Sequence, residues 1–313
     1  MGKYFAILPD AGCDLADSIR KEYDIDVIHG HYSTPDGEEH QTHLNWDNID
    51  RETFYTELKK DPNGYKTSPP NMEESYEAFK KYAAQGIDVL ALSISTGLSG
   101  SFGFMNKAKE QVLEEYPDTK IFIIDTLRFG PGYGLMAIIA SEMRKEGKDV
   151  EEVAKWLEDN KNRFHQTGWM DDLAFTAKKG RLTRAKAFMG TLVGIKPIGE
   201  FDKNGLTTVI GKLKGEKMAY SVLVDFIAET IIDADKQTII IATTNRHKNA
   251  EEYKRLIEER FHPKKVMICD VFPFCGINIG PGLMAAYYYG KPISDGLEEE
   301  KALVARLSEN YKG

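Results

Sequence analysis

Residues 95–101 read Ser95-Thr96-Gly97-Leu98-Ser99-Gly100-Ser101, four hydroxyls and two glycines within seven residues. Hydroxyls beside free amides at a helix start can hold an oxyanion, and glycine lets the backbone approach it closely. The same serines could instead cap the following helix. Two further loops carry polar groups that could join them: Asp10-Ala11-Gly12-Cys13-Asp14 and Asp125-Thr126-Leu127-Arg128-Phe129-Gly130-Pro131-Gly132.

Several other chemistries fit poorly. Gly97-Leu98-Ser99-Gly100-Ser101 is one residue short of the Gly-x-Ser-x-Gly nucleophile elbow, and no later His stands in a triad context. An acyl hydrolase or small-molecule transferase using Ser99 remains the rival reading. Gly130-x-Gly132-x-Gly134 and Gly276-x-x-x-Gly280-x-Gly282 match neither the dinucleotide fingerprint nor the phosphate loop, so both read as backbone turns and no cofactor is expected. His29, His31, His40 and His43 lie close in sequence, but no carboxylate or Cys completes a familiar metal spacing. They read as a solvated, His-rich hairpin. The basic run Lys178–Lys186 is either a solvated face or a surface for an anionic head or acidic partner.

The elements that must position these loops alternate. Tyr4–Leu8, Asp26–His29, Asp88–Ile94 and Ile121–Ile124 read as strands. Leu15–Tyr23, a helix capped by Asp50, one capped by Asn71, one ending at Glu115 and Tyr133–Lys145 read as helices. Such alternation predicts a parallel sheet with helices on both faces, and loops beyond the carboxyl ends of its strands are where ligands bind. The second half changes character. Asn204-Gly205 reads as a two-residue hairpin turn between Val193–Phe201 and Leu206–Leu213. A helix over Lys217–Ile232, a strand at Thr238–Ala242, a helix at Ala250–Arg260 and a strand at Val266–Cys269 follow. The expectation is two α/β domains that pack together, residues 1–163 with a parallel sheet and 164–313 with a mixed sheet.

Net charge is −8 over 313 residues, which disfavours a nucleic-acid partner and adsorption to an anionic membrane. No apolar run reaches the length of a membrane span, and the first apolar stretch is too short for a signal peptide. Cys13, Cys269 and Cys275 form no Cys-x-x-Cys pair, so a reducing, cytoplasmic location is expected.

In order along the chain, these pieces resemble the DegV family of bacterial fatty-acid-binding proteins. Asp10…Asp14-Leu15 is similar to that family's Asp-Ser-x-x-Asp-Leu, Thr67-Ser68-Pro69-Pro70 to Thr-Ser-Gln-Pro, and Ser95–Ser101 to Ser-Ser-x-Leu-Ser-Gly-Thr. Asp125-Thr126 stands where the family has Asp-Ser. Gly180-Arg181-Leu182-Thr183 resembles Gly-Arg-Ile-Ser, Ile195-Lys196-Pro197 matches Ile-Lys-Pro, and Gly280-Pro281-Gly282 matches Gly-Pro-Gly. The resemblance implies a long-chain fatty acid lying between the two domains, with its tail buried and its carboxylate held by Thr67 and Ser99. Ser95, Thr96, Ser68 and Gly100 are neighbouring candidates, and a separate fatty-acid kinase subunit is a candidate partner. Three departures fall near the expected head group: Asn278 for a frequent His, Pro69 for Gln and Ala11 for Ser. At Asn278 a neutral amide is expected to donate to the carboxylate through its NH₂ group. Phe102, Met105, Phe188, Met189, Leu192, Ile277 and Ile279 are candidates for lining the tail, or else plain core.

Overall fold

The computed structural model describes residues 3–182 and 194–311. Strand β1 (Phe5–Pro9) is buried along its whole length and leads through a short turn to α1 (Asp17–Tyr23). A small excursion follows: β2 (His31–Ser33), β3 (Glu39–Gln41), α2 (Arg51–Lys60) and β4 (Lys66–Ser68). Asp50 caps α2 through the Thr53 amide at 2.9 Å, as its sequence position predicts. Asn71 and Glu74 close a capping box at the start of α3 (Met72–Ala83). Then come β5 (Asp88–Ser93), α4 (Ser101–Glu115), β6 (Ile121–Asp125), α5 (Pro131–Lys145) and α6 (Val150–Asn160). Strands β1, β5 and β6 form a parallel sheet in the order β1-β5-β6, while β3-β2-β4 form a separate antiparallel sheet. The expected strand at Asp26–His29 reduces to one parallel bridge, Asp10 to Ile28.

The second half adds β7 (Phe164–Met170), α7 (Leu173–Lys178), β8 (Ile195–Phe201), β9 (Thr207–Lys214) and α8 (Gly215–Thr230). It ends with β10 (Thr238–Thr243), α9 (His247–Phe261), β11 (Lys265–Asp270), α10 (Pro273–Ile279), β12 (Leu283–Tyr289) and α11 (Glu298–Glu309). These strands form a six-stranded mixed sheet in the order β11-β10-β12-β7-β8-β9. Fold class therefore matches the sequence expectation. The Asn204-Gly205 turn differs in detail. Residues 202–206 separate the two strands, and Asp202 closes the turn by accepting from the Asn204 and Leu206 amides.

Helix α5 sits between the parallel sheet and the mixed sheet, packing against β1 on one side and β10 and β12 on the other. A helix with apolar residues on most of its circumference belongs in such a place. Tyr133, Leu135, Met136, Ala137, Ile138 and Ala140 are all buried. They join one continuous core that includes Phe5, Ile7 and Leu92 from the parallel sheet and Ile240, Ala285 and Tyr287 from the mixed sheet. A second core, around Trp169, Phe226 and Tyr288, fills the far side of the mixed sheet.

Candidate functional site

A cavity of about 470 Å³ opens between the two halves, within the size range of small-molecule sites. Its polar side is built by three segments far apart in sequence: Thr67 on β4, Thr96–Gly100 after β5, and Asn278 on α10. Its apolar side is built by Ile94, Leu98, Phe129, Phe201, Phe274 and Ile279.

The tip of the β8–β9 hairpin locks the hydroxyl loop in place. Ser95 is fully buried and donates to the Gly205 carbonyl at 2.7 Å, while accepting from the Gly97 amide. Gly205 has φ +72°, and a Cβ there would lie 1.9 Å from the Ser95 hydroxyl, so glycine is required twice over. Ser95 is thus engaged in this joint and does not face the cavity. Thr96 lines the cavity, but its hydroxyl donates to Asp125 at 2.6 Å. Ser99 lines the cavity half-buried, with its oxygen 3.0 Å from that of buried Ser101.

Thr67 and Asn278 form a couple. The Asn278 amide donates to the Thr67 hydroxyl oxygen at 3.0 Å and to the Phe274 carbonyl at 3.3 Å. Both amide hydrogens are thereby engaged within the protein, while Asn278 itself also lines the cavity. With one lone pair of Thr67 occupied, its hydrogen is free to point into the cavity. Ser68 is exposed and lies outside the lining; Pro69, at the place of the family's Gln, adds an apolar wall.

Below Phe129 and Phe201 a smaller chamber of about 30 Å³ continues the cavity, sharing Phe129, Phe201, Thr207 and Ile279 with it. The two phenylalanine rings stack at 6.2 Å between centroids. The inner chamber is lined by alternate residues of three neighbouring strands: Gln166, Gly168 and Met170 of β7, Gly199 and Phe201 of β8, and Leu283, Ala285 and Tyr287 of β12. Side chains alternate across a strand, so the intervening Trp169, Ile198, Met284 and Tyr288 serve the second core. Gln166 grips Phe129 by accepting from its amide at 3.0 Å and donating to its carbonyl at 2.6 Å.

Of the other tail candidates, only Ile279 lines the cavity among the described residues. Met105 packs under the parallel sheet with Ala6, Leu8 and Phe79, and Ile277 packs with Tyr32, Phe54 and Tyr55. Phe102 stands apart from the lining, and Phe188, Met189 and Leu192 fall outside the described residues. Sequence reasoning missed Phe129, Phe201 and Phe274 as lining residues, and placed Arg181 within a basic run and the Gly-Arg-Leu-Thr motif without assigning it to the cavity. Arg181 stands exposed at the cavity rim and donates to the Lys179 carbonyl. The four hairpin histidines are spoken for differently: His31 pairs with Glu74, His29 meets the Thr42 carbonyl, His40 stacks on Tyr32, and His43 lies against His29.

The sequence model of the DegV family, described as uncharacterised protein, matches residues 4–291. A DegV domain-containing protein of Clostridium perfringens is 33% identical over 92% of this chain and 98% of its own length. Among solved structures, a DegV lipid-binding protein from Thermotoga maritima superposes with TM-score 0.80 at 24% identity, covering 92% of this chain and 99% of that one. The fatty acid kinase B3 protein of Streptococcus pneumoniae, loaded with linoleic acid, superposes with TM-score 0.76 at 20% identity over 91% of this chain and 99% of that one. With motifs, family match and curated relative in agreement over nearly the whole length, this chain belongs to the DegV family.

Proposed function

We propose that this protein binds a long-chain fatty acid, with the carboxyl group at Thr67 and Ser99 and the tail running past Phe129 and Phe201. The observation that carries this reading is the cavity's mixed lining: Thr67, Thr96 and Ser99 bring hydroxyls to it, while Ile94, Leu98, Phe129, Phe201, Phe274 and Ile279 supply apolar wall. Burying about fourteen methylenes at ~0.8 kcal/mol each contributes roughly 11 kcal/mol gross, against about 1.5–3 kcal/mol for a charge-assisted hydrogen bond. The tail sets affinity and the hydroxyls set orientation. The names of solved relatives, one a lipid-binding protein and another a kinase B protein holding linoleic acid, support the ligand class and make a fatty-acid kinase subunit the natural partner. Arg181 at the rim suits an anionic head presented outward.

A carrier role fits the lining better than hydrolysis. Among the described lining residues there is no His, Asp or Glu to serve Ser99 as a base, and burial pushes the Cys275 thiol well above its ordinary range. The three cysteines are buried and unpaired, in keeping with a reducing cytoplasm. Among the described residues no helix is long and apolar enough to cross a membrane.

Native mass spectrometry of protein purified from a bacterial host tests the reading. A co-purified mass of a long-chain acid is expected, and Thr67→Ala with Ser99→Ala should weaken its retention tenfold to about a hundredfold in folded protein. Undiminished lipid in the double variant would remove these two hydroxyls from the head-group site.

A further inference from the structure

Among the described residues, the cavity and the inner chamber have only Phe129, Phe201, Thr207 and Ile279 in common, and these four form the neck between them. At the neck the two phenylalanine rings lie nearly parallel, 20° apart in plane and 6.2 Å apart at their centroids. An alkyl chain between two ring faces needs a carbon contact of about 3.5–4.0 Å on each side, roughly 7–8 Å in all. Nothing passes between the rings as they stand, so a tail that reaches the inner chamber must part them.

The two rings are held differently. Phe129 is gripped at its amide and at its carbonyl by Gln166, and Gly130-Pro131 leads it directly into α5. Phe201 is the last residue of β8, and the residue before it on the same face is Gly199. Gly168, which pairs with Gly199 across the sheet, must be glycine, because a Cβ there would run into the Met284 carbonyl and the Ala285 backbone. Gly199 is under no such demand. Its φ is not positive, and a Cβ would make only ordinary contacts, with the Thr207 methyl at 3.5 Å and the Thr208 carbonyl at 3.9 Å. Glycine inside a strand costs stability, so its presence here calls for another reason. The space it leaves opens on the chamber that Phe201 roofs, and side chains on a strand lean along the strand.

We infer that Phe201 is the residue that sets chain-length preference. Its ring is the movable leaf of an aromatic diaphragm, Phe129 is the fixed leaf, and Phe201 turns toward Gly199 when a tail reaches the neck. This rests on the fatty-acid reading above and narrows its substrate class to acids long enough to open the neck. Shorter tails end above the rings and leave the stack intact. Longer ones part it, with the Phe201 ring moving to the β8 side and the tail passing over Met170, Leu283 and Ala285 of β7 and β12. Parting a stacked pair forfeits about two- to twelvefold in affinity. That is comparable with what one or two methylenes contribute at about fourfold each. The loss falls at one chain length, and carbons beyond it are sheltered from water again.

The experiment measures how saturated acids from octanoic to octadecanoic, taken one carbon at a time, displace a fluorescent fatty acid from delipidated full-length protein. In wild type, affinity should climb about fourfold per methylene, pause over about one or two methylenes where the tail meets the rings, and climb again. Phe201→Ala removes the movable leaf and should abolish the pause. Phe201→Leu, which keeps an apolar side chain but no ring face, should abolish it too. Gly199→Val takes the space the ring needs, so its climb should end at the pause. A purely structural role would lower affinity at every length alike and leave the pause in place. Should Phe201→Ala fail to fold, Phe201→Leu and Gly199→Val decide. A wild-type climb without a pause, a pause that survives in a folded Phe201 variant, or a Gly199→Val climb that continues past it overturns the inference. Displacement by no acid of any length, with no co-purified lipid, would instead overturn the fatty-acid reading, and this inference with it.

Discussion

At the scale of single residues, the polar lining of the cavity is organised by which hydrogens are already spent. Thr96 has the right chemistry and position, yet its hydroxyl is given to Asp125. Thr67 is the reverse case, since Asn278 supplies a donor to its oxygen and leaves its hydrogen available. Replacing Asn278 by Leu should therefore weaken acid binding by about 1 kcal/mol, roughly fivefold, by releasing Thr67 from its fixed orientation. Competitive displacement of a fluorescent fatty acid would measure this, and an effect as large as that of Thr67→Ala itself would mean that Asn278 touches the head group directly. The motif residues were legible in the sequence because glycines and hydroxyls cluster visibly. Their division of labour was not, because a serine facing the cavity and a serine pinned to a neighbouring turn look alike in one dimension.

At the scale of elements, strand β8 does two jobs, one on each face. Glu200, fully buried, accepts from His165 at 3.0 Å, from Thr167 at 2.5 Å and from the Gln166 amide at 2.7 Å. Burial alone would raise its carboxyl, but His165 and these donors outweigh it and hold it below the ordinary range. A depressed folded value means stability that is present above the unfolded glutamate value, near 4.3, and lost as pH falls through the folded one. Glu200→Gln should cost about 3 kcal/mol at neutral pH, measured by urea unfolding, and should blunt the loss of stability below pH ~4. On the same strand Gly199 opens to the inner chamber, and a Cβ there would meet only the Thr207 methyl at 3.5 Å and the Thr208 carbonyl at 3.9 Å. Gly199→Val should fold, fill the chamber and shift the co-purified acids toward shorter chains; an unchanged chain-length profile would place the tail elsewhere. Strands β7 and β12, which floor this chamber, gave no clear signal. The segment Phe164–Met170 mixes polar and apolar residues on both faces because each face packs against a different core. The run Leu283–Tyr289 is apolar throughout because it is central in the sheet, and without alternation its neighbouring glycines dominated the reading.

At the scale of the whole molecule, the parallel sheet, α5 and the mixed sheet share one core, and the cavity lies at the seam between the hydroxyl loop and the β8–β9 hairpin. Alternation of strand and helix made the first half readable in outline. The second half was readable where strands were short, apolar and bounded by turns, as at Thr238–Thr243. A ligand held by both halves binds the native state and not the unfolded chain, so it must stabilise the whole: saturation at a hundredfold excess over Kd adds about 2.7 kcal/mol. Delipidation should lower Tm by several degrees in scanning calorimetry, and re-addition of acid should restore it. A Tm indifferent to lipid would argue that the acid sits on the surface.

The walls of this cavity come from Thr67 near the beginning of the chain, Ser99 and Phe129 in its first half, Thr207 later, and Asn278 and Ile279 close to its end. A ribosome releases these pieces in that order, over a span of synthesis lasting many seconds at about 5–20 residues per second. Throughout that time the early hydroxyls face an unfinished wall, and no acyl chain can be enclosed until α10 has emerged and docked. On the proposed function, loading thus follows the docking of α10, and a bound lipid reports that the wall from Thr67 to Ile279 has been assembled.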